Sequence, residues 1–142
     1  MRNIVALLTI VALLAAGCAS RSSGKQFRQL TYSYTGGIAG FNQSLVVTAD
    51  GSFQMADRGK PGRAGRLPAA ETRALRQLVD GVSWSTVDEQ YVDPRVADAI
   101  FEGVTVQIGK STYQTVVGTG GLPPAELARL LGKLKQILDM QK

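Results

Sequence analysis

Few side chains in this sequence are able to run a reaction. There is no histidine, and Cys18 is the one cysteine. The missing imidazole removes the commonest general base, the Ser–His and Cys–His nucleophile pairs, and histidine metal sites. A pair of carboxylates, as glycosidases use, is the remaining option. The carboxylates that lie close together are Asp88, Glu89, Asp93, Asp98 and Glu102. All five fall in or beside one short polar segment, so we interpret them as a solvated loop and predict no enzyme, no metal and no cofactor.

A glycine-rich segment, YTGGIAGF at residues 34–41, is the second feature. It does not match a phosphate-binding loop, because no Lys-Ser pair follows and it does not open a helix after a strand. Ordered glycine costs conformational entropy, so three glycines in five residues indicate a positive φ or the close approach of another group. No small-molecule substrate is evident.

The N-terminus has the composition of an export signal. The positive start MRN precedes an apolar run at residues 4–16, which is too short to cross a hydrocarbon core of about 30 Å. The run ends in LAAGC, which resembles the bacterial lipobox and makes Cys18 the lipidated first residue of the mature chain. The alternative is an ordinary signal peptide, with Cys18 incidental.

We therefore predict a lipoprotein signal peptide at 1–17, the lipidated cysteine and a flexible linker at 18–25, and one domain at 26–142. The two residues directly after Cys18 are Ala19 and Ser20, and neither is an aspartate. By resemblance to Gram-negative sorting, this implies the inner leaflet of the outer membrane, facing the periplasm, if the cell is Gram-negative.

The net charge of +5 is partly concentrated in DRGKPGRAGR at residues 57–66. Nucleic acid is a poor partner for an exported, tethered protein, so we expect none. We interpret this basic stretch as a long solvated loop; contact with anionic lipid or an acidic partner is the alternative.

The apolar spacing predicts strands and two helices. Alternating residues indicate strands at 26–35, 41–49, 52–56, 101–108 and 113–117, with Asp50-Gly51 and Gly109-Lys110 as hairpin turns. Leu-Pro openings and helical spacing indicate helices from about 67 and 123. The order β-β-β-α-β-β-α predicts an α+β fold, with an antiparallel sheet of four or five strands and both helices packed on one face.

These elements, in this order, resemble the emfourin-like family, bacterial inhibitors of the thermolysin-like zinc metalloprotease protealysin. The resemblance runs from about Tyr32 to Ile137. It is carried by YTGGIAG, then LPAAETRALRQLVD, then a VTVQIG strand, then LPPAELARLL. The lipobox and the basic stretch depart from the family pattern.

The resemblance implies a lipid-anchored inhibitor of a thermolysin-like metalloprotease that blocks the protease cleft without binding zinc itself. The glycine-rich segment would then be a hairpin loop that blocks the cleft, and its bare, extended backbone would offer main-chain hydrogen bonds there. The implied binding residues are Thr35, Gly36, Gly37, Ile38, Ala39, Gly40 and Phe41. Two alternatives stay open: the glycines serve only a tight turn or bulge, or the domain is a non-inhibitory envelope adaptor or structural module.

Overall fold

The computed structural model describes residues 26–141. Cys18, the predicted signal peptide and the linker therefore lie outside the described residues. Seven strands and two α-helices follow one another along the chain. They are β1 Phe27–Gly36, β2 Phe41–Thr48, β3 Ser52–Asp57, β4 Lys60–Arg66, α1 Ala69–Gly81, β5 Gln90–Tyr91, β6 Ile100–Ile108, β7 Ser111–Gly118 and α2 Ala125–Met140, with a single 3-10 turn at Trp84–Thr86.

β1 is the central strand of one seven-stranded sheet. The strand order is β4-β3-β2-β1-β6-β7-β5, and every pairing is antiparallel except that of β5 with β7. Tyr32 pairs with Leu45 on one side and with Val104 on the other. Its alternating residues Leu30 and Tyr32 lie on one face of the sheet and are fully buried there.

The core lies between that face of the sheet and both helices. α1 contributes Leu75 and Val79, and α2 contributes a longer leucine stripe, to one continuous apolar cluster. The other face of the sheet carries half-exposed polar residues such as Thr31 and Ser33. Every residue of the cluster falls between Phe27 and Leu138, so a chain beginning at residue 19 retains the whole core.

Trp84 closes α1, as its position after the helix predicts. Its side chain is buried, and its indole Nε1–H donates to the Val79 carbonyl at 2.9 Å. A buried indole N–H needs such a partner.

Within residues 26–141, neither helix has the length and apolarity needed to cross a membrane.

The α+β class and the helices are confirmed, but the strand count of four or five and the order β-β-β-α-β-β-α are wrong. The basic stretch is not a loop: Lys60–Arg66 forms β4, paired with β3 at the sheet edge. Gly65 lies against the Phe53 ring, where an added Cβ would be 3.2 Å from Cε1. A two-residue strand, β5, also forms in the segment predicted as a loop.

The sheet has two distinct ends. The chain enters at Phe27, and we call this the entry end. β1 finishes at Gly36, at what we call the loop end. Ten residues of strand separate the two ends by on the order of 30 Å.

Candidate functional site

The hairpin that joins β1 and β2 projects from the loop end as a tight turn. Its tip is residues 37–40, where the Gly40 N–H donates to the Gly37 carbonyl at 2.9 Å. Gly37 and Gly40 have φ of 70° and 61°, and Ile38 and Ala39 lie between them. The expected extended backbone is therefore wrong at the tip, because a four-residue turn of this kind folds the chain back on itself.

Two of the glycines fix the hairpin to the start of β6. The Gly37 N–H donates to the Ala99 carbonyl at 3.1 Å. Gly36 has φ of 92°, and a Cβ there would lie 2.4 Å from the Ala99 carbonyl oxygen. A Cβ on Gly37 would lie 3.1 Å from Ile100 Cγ1. These glycines have structural reasons to be present, since both need a left-handed backbone and a close approach.

Ile38 has no structural reason to be apolar. Its side chain is 91% exposed at the tip of the hairpin, and Ala39 and Gly40 beside it are also exposed. Phe41 is only about a third exposed, and its ring packs against Tyr34 with centroids 5.3 Å apart. Thr35 lies within the sheet, paired with Asn42 and Phe101. Of the seven residues implied by the resemblance, Ile38 is the one presented as an apolar anchor.

A second loop stands beside the hairpin, across the start of β6. The Thr119 N–H donates to the Ile100 carbonyl at 2.9 Å, and the Thr119 hydroxyl accepts from the Ile100 N–H at 3.0 Å. Gly121 is held so closely that an added Cβ would lie 2.1 Å from the Tyr91 carbonyl oxygen. Leu122, the next residue, is 89% exposed. The loop end therefore presents two apolar side chains on two fixed loops.

Sequence reasoning missed Leu122. It lies between Gly120-Gly121 and Pro123-Pro124, outside both the strand alternation and the helical leucine stripe. Leu122 could have been identified from the sequence, because a large apolar residue in a glycine–proline loop, outside any strand or helix pattern, has no position in the core to fill.

A cleft of about 520 Å³ opens behind this second loop, between the sheet and α2. Its charged lining groups already have partners. The Tyr32 hydroxyl donates to Glu102 Oε1 at 2.5 Å. Lys135 Nζ lies 2.5 Å from Asp139 Oδ2 and 4.6 Å from the centre of the Tyr34 ring. Burial, and then the bond to Glu102, raise the pKa of Tyr32 well above its usual range. This hydroxyl therefore stays protonated and is a poor proton donor or nucleophile.

Two of the five clustered carboxylates, Asp93 and Glu102, accept hydrogen bonds from other side chains. Asp93 accepts hydrogen bonds from Arg95 Nε at 2.9 Å and NH2 at 2.8 Å. Glu102 accepts from Tyr32, while Asp88, Glu89 and Asp98 are exposed. Among residues 26–141, no group of three or more histidine, cysteine or acidic side chains is placed to hold a metal ion.

Comparison with protein-family models, with curated proteins and with solved structures found no significant match to the chain. The candidate site is therefore defined by its own geometry: two rigid loops, each with one exposed aliphatic side chain, at the end of the sheet opposite the chain entry.

Proposed function

We propose that this chain is a lipid-anchored envelope protein whose domain inhibits a thermolysin-like zinc metalloprotease. The anchor is Cys18, and the domain faces the periplasm from the inner leaflet of the outer membrane if the cell is Gram-negative. The observation that supports inhibition is the position of Ile38, almost fully exposed on a hairpin that Gly36 and Gly37 hold against β6.

The mechanism is steric occupation of the protease cleft. By the resemblance, thermolysin-like enzymes prefer bulky aliphatic side chains, and Ile38 supplies one. Burying an isoleucine side chain contributes about 1.5–3 kcal/mol. The hairpin is already ordered, so little loop entropy is lost when the partner binds. In this mechanism the Ile38 side chain, presented by a turn, makes the contact with the protease. It takes the place of the main-chain contact of an extended backbone that the glycines indicated.

The second candidate function is a non-inhibitory envelope adaptor. Leu122 favours it, because this exposed side chain lies outside the hairpin through which inhibition is proposed. Two apolar residues on neighbouring loops suit a protein surface wider than a single protease subsite.

The test uses residues 19–142 and a thermolysin-like protease from the same cell, with hydrolysis of a peptide substrate as the readout. We expect stoichiometric inhibition by the unmodified domain. Ile38→Asp should raise the inhibition constant by roughly 10- to 100-fold, because the anchor is lost and a charge is placed in an apolar subsite. Met140→Asp is the matched control, since Met140 is a 52%-exposed apolar residue at the end of α2. Circular dichroism confirms that each variant is folded.

The outcomes separate the two functions. Inhibition lost with Ile38→Asp and kept with Met140→Asp supports an inhibitor that acts through the hairpin. No inhibition at micromolar domain rejects the inhibitor and leaves the adaptor. The anchor is tested apart from this, in cells, where Cys18→Ser should move the protein out of the membrane fraction.

A further inference from the structure

The entry end of the sheet is built around the turn that joins β2 and β3. The Ala49 N–H donates to the Arg28 carbonyl at 3.0 Å, which places Arg28 beside this turn. Arg76 of α1 reaches the same turn, because its guanidinium donates to the Ala49 carbonyl. Both arginines therefore lie where the chain enters the domain.

Three more cations lie at the same end. Arg66, the last residue of β4, forms a salt bridge with Asp50 at 3.0 Å. Arg73 lines a depression of about 300 Å³ together with Asp50, Arg66 and Arg76. Lys110 lies in the turn between β6 and β7, two residues after Ile108, which pairs with Phe27. From β4 to β7 this row of cations follows one end of the sheet for about 24 Å, at the usual spacing of strands.

The row carries a net positive charge. Five cations less two carboxylates, Asp50 and Asp80, the latter one helical turn beyond Arg76 on α1, leave +3. Arg28, Arg73 and Lys110 are exposed and make no salt bridge within residues 26–141. Exposed cations without partners at one end of a domain give that end an attractive field for anions.

The position of the chain entry decides which anion meets this field. β1 begins at Phe27, so the linker at residues 18–25 joins the domain at the same end. Eight residues span at most about 29 Å. If Cys18 carries the lipid anchor, the start of β1 and Arg28 beside it are held within that distance of the membrane surface, where anionic headgroups attract lysine and arginine.

We propose that the entry end binds the anionic phospholipid headgroups of the membrane that holds the anchor. The residues that bind are Arg28, Arg66, Arg73, Arg76 and Lys110. This rests on the lipid anchor in the proposed function, but not on protease inhibition. With the entry end bound to the membrane, the loop end faces the aqueous space. Ile38 and Leu122 then lie on the order of 30 Å from the membrane-bound end. A soluble partner then reaches both side chains without approaching the bilayer.

The experiment measures binding of unlipidated residues 19–142 to vesicles by co-sedimentation. One set of vesicles is phosphatidylcholine alone, and the other contains about 30 mol % phosphatidylglycerol. Each cation near an anionic surface is worth about a fivefold change in partitioning at low salt. Losing three should therefore weaken binding by roughly 100-fold. The test variant combines Arg28→Gln, Arg73→Gln and Lys110→Gln.

The matched control removes three cations elsewhere. Arg58 and Lys60 lie at or beside the turn between β3 and β4 at the loop end, and Arg63 lies midway along β4. Like the test residues, they are exposed and make no salt bridge in the described part of the chain. The control variant is Arg58→Gln, Lys60→Gln and Arg63→Gln, and both variants keep Arg21 and Lys25 of the linker.

We expect the domain to bind the anionic vesicles, with binding that weakens as salt is added. Binding should fall strongly in the test variant and only slightly in the control variant. Equal binding to both kinds of vesicle overturns it. So do equal losses in the two variants, which would show that net charge, rather than the entry end, governs binding. Urea midpoints show whether either variant is destabilised. Since no protease is present, this result and the inhibition assay fail independently.

Discussion

Replacing Gly36 with alanine tests whether the glycines of the hairpin are required by the fold. Gly36 has φ of 92°, and an alanine Cβ would lie 2.4 Å from the Ala99 carbonyl oxygen. The obstacle is a backbone atom of the neighbouring strand connection, so it does not move aside as a flexible side chain would.

The expected cost has two parts. A left-handed backbone costs a residue with a Cβ about 1–2 kcal/mol. Forcing an extra methyl group into an occupied space typically costs about 1–3 kcal/mol. Gly36→Ala should therefore lower the free energy of unfolding by about 2–5 kcal/mol, which is a large share of the roughly 5–15 kcal/mol typical of a domain.

Two other glycines provide the controls. Gly40 has φ of 61°, but an added Cβ meets no atom within 4 Å, so Gly40→Ala should cost only about 1 kcal/mol. Gly132 lies inside α2, with no neighbour within 4 Å of its Cβ position. Gly132→Ala should stabilise the domain by about 0.5–1 kcal/mol, because glycine is unfavourable in a helix.

The assay is equilibrium unfolding in urea, followed through the emission of Trp84. This residue is the single tryptophan of the chain and is buried in the core. Linear extrapolation gives the free energy of unfolding of each variant. If Gly36→Ala is as stable as Gly40→Ala, then Ala99 does not restrain the hairpin, and the argument for a rigid loop that presents Ile38 fails.

Two further predictions concern pH. Hydrogen bonds from the Thr48 hydroxyl, and then from the Ser52 N–H and hydroxyl, lower the pKa of Asp50 to about 2. The unfolded chain, with a carboxyl pKa of about 3.9, takes up that proton first, so this stability is complete above about pH 4 and is lost as the pH falls toward 2. Asp50→Asn should flatten the acid limb of urea midpoints plotted against pH; an unchanged slope contradicts this assignment. Burial and the bond to Glu102 raise the pKa of Tyr32, so its contribution is complete below about pH 10 and is lost above it. Tyr32→Phe should cost about 1.5–3 kcal/mol at neutral pH and reduce the alkaline loss; an alkaline limb like that of the unmodified domain refutes it.

Several elements were predictable because their signals are local. Asp50-Gly51 and Gly109-Lys110 are hairpin turns in the structure, with φ of 87° and 61° at the two glycines. The alternation of apolar and polar residues along β1 indicates that one face of the strand is buried. The leucine spacing of α2 indicates the helix face that covers the sheet. Each of these patterns is contained within about twenty residues.

β4 was missed because an edge strand with both faces exposed has no apolar alternation. Every residue of Lys60–Arg66 is exposed, and the proline and glycines of this stretch are typical of a loop. What makes it a strand is its pairing with β3, and Gly65 leaves room for the Phe53 ring. A partner strand and an aromatic ring across the sheet are not visible in the composition of the stretch itself.

The candidate site was only half predictable. Ile38 is implied by the resemblance of its glycine-rich segment, whereas Leu122 lies in a different loop 84 residues later. The two loops become neighbours because β6 lies between β1 and β7, which brings Ile100 into contact with both. That neighbourhood depends on the strand order, and no local pattern encodes it.

The sequence alone determined the α+β class, the two helices, the two hairpin turns and the lack of histidine chemistry, since these follow from residue type and from spacing within one element. The tertiary structure decided that Gly36 and Gly37 are needed against Ala99 and Ile100, that two apolar side chains share the loop end, and that a row of cations collects at the entry end. The physical reason is that side chains separated by tens of residues become neighbours only through long-range strand pairing, and their contacts and charges then act together.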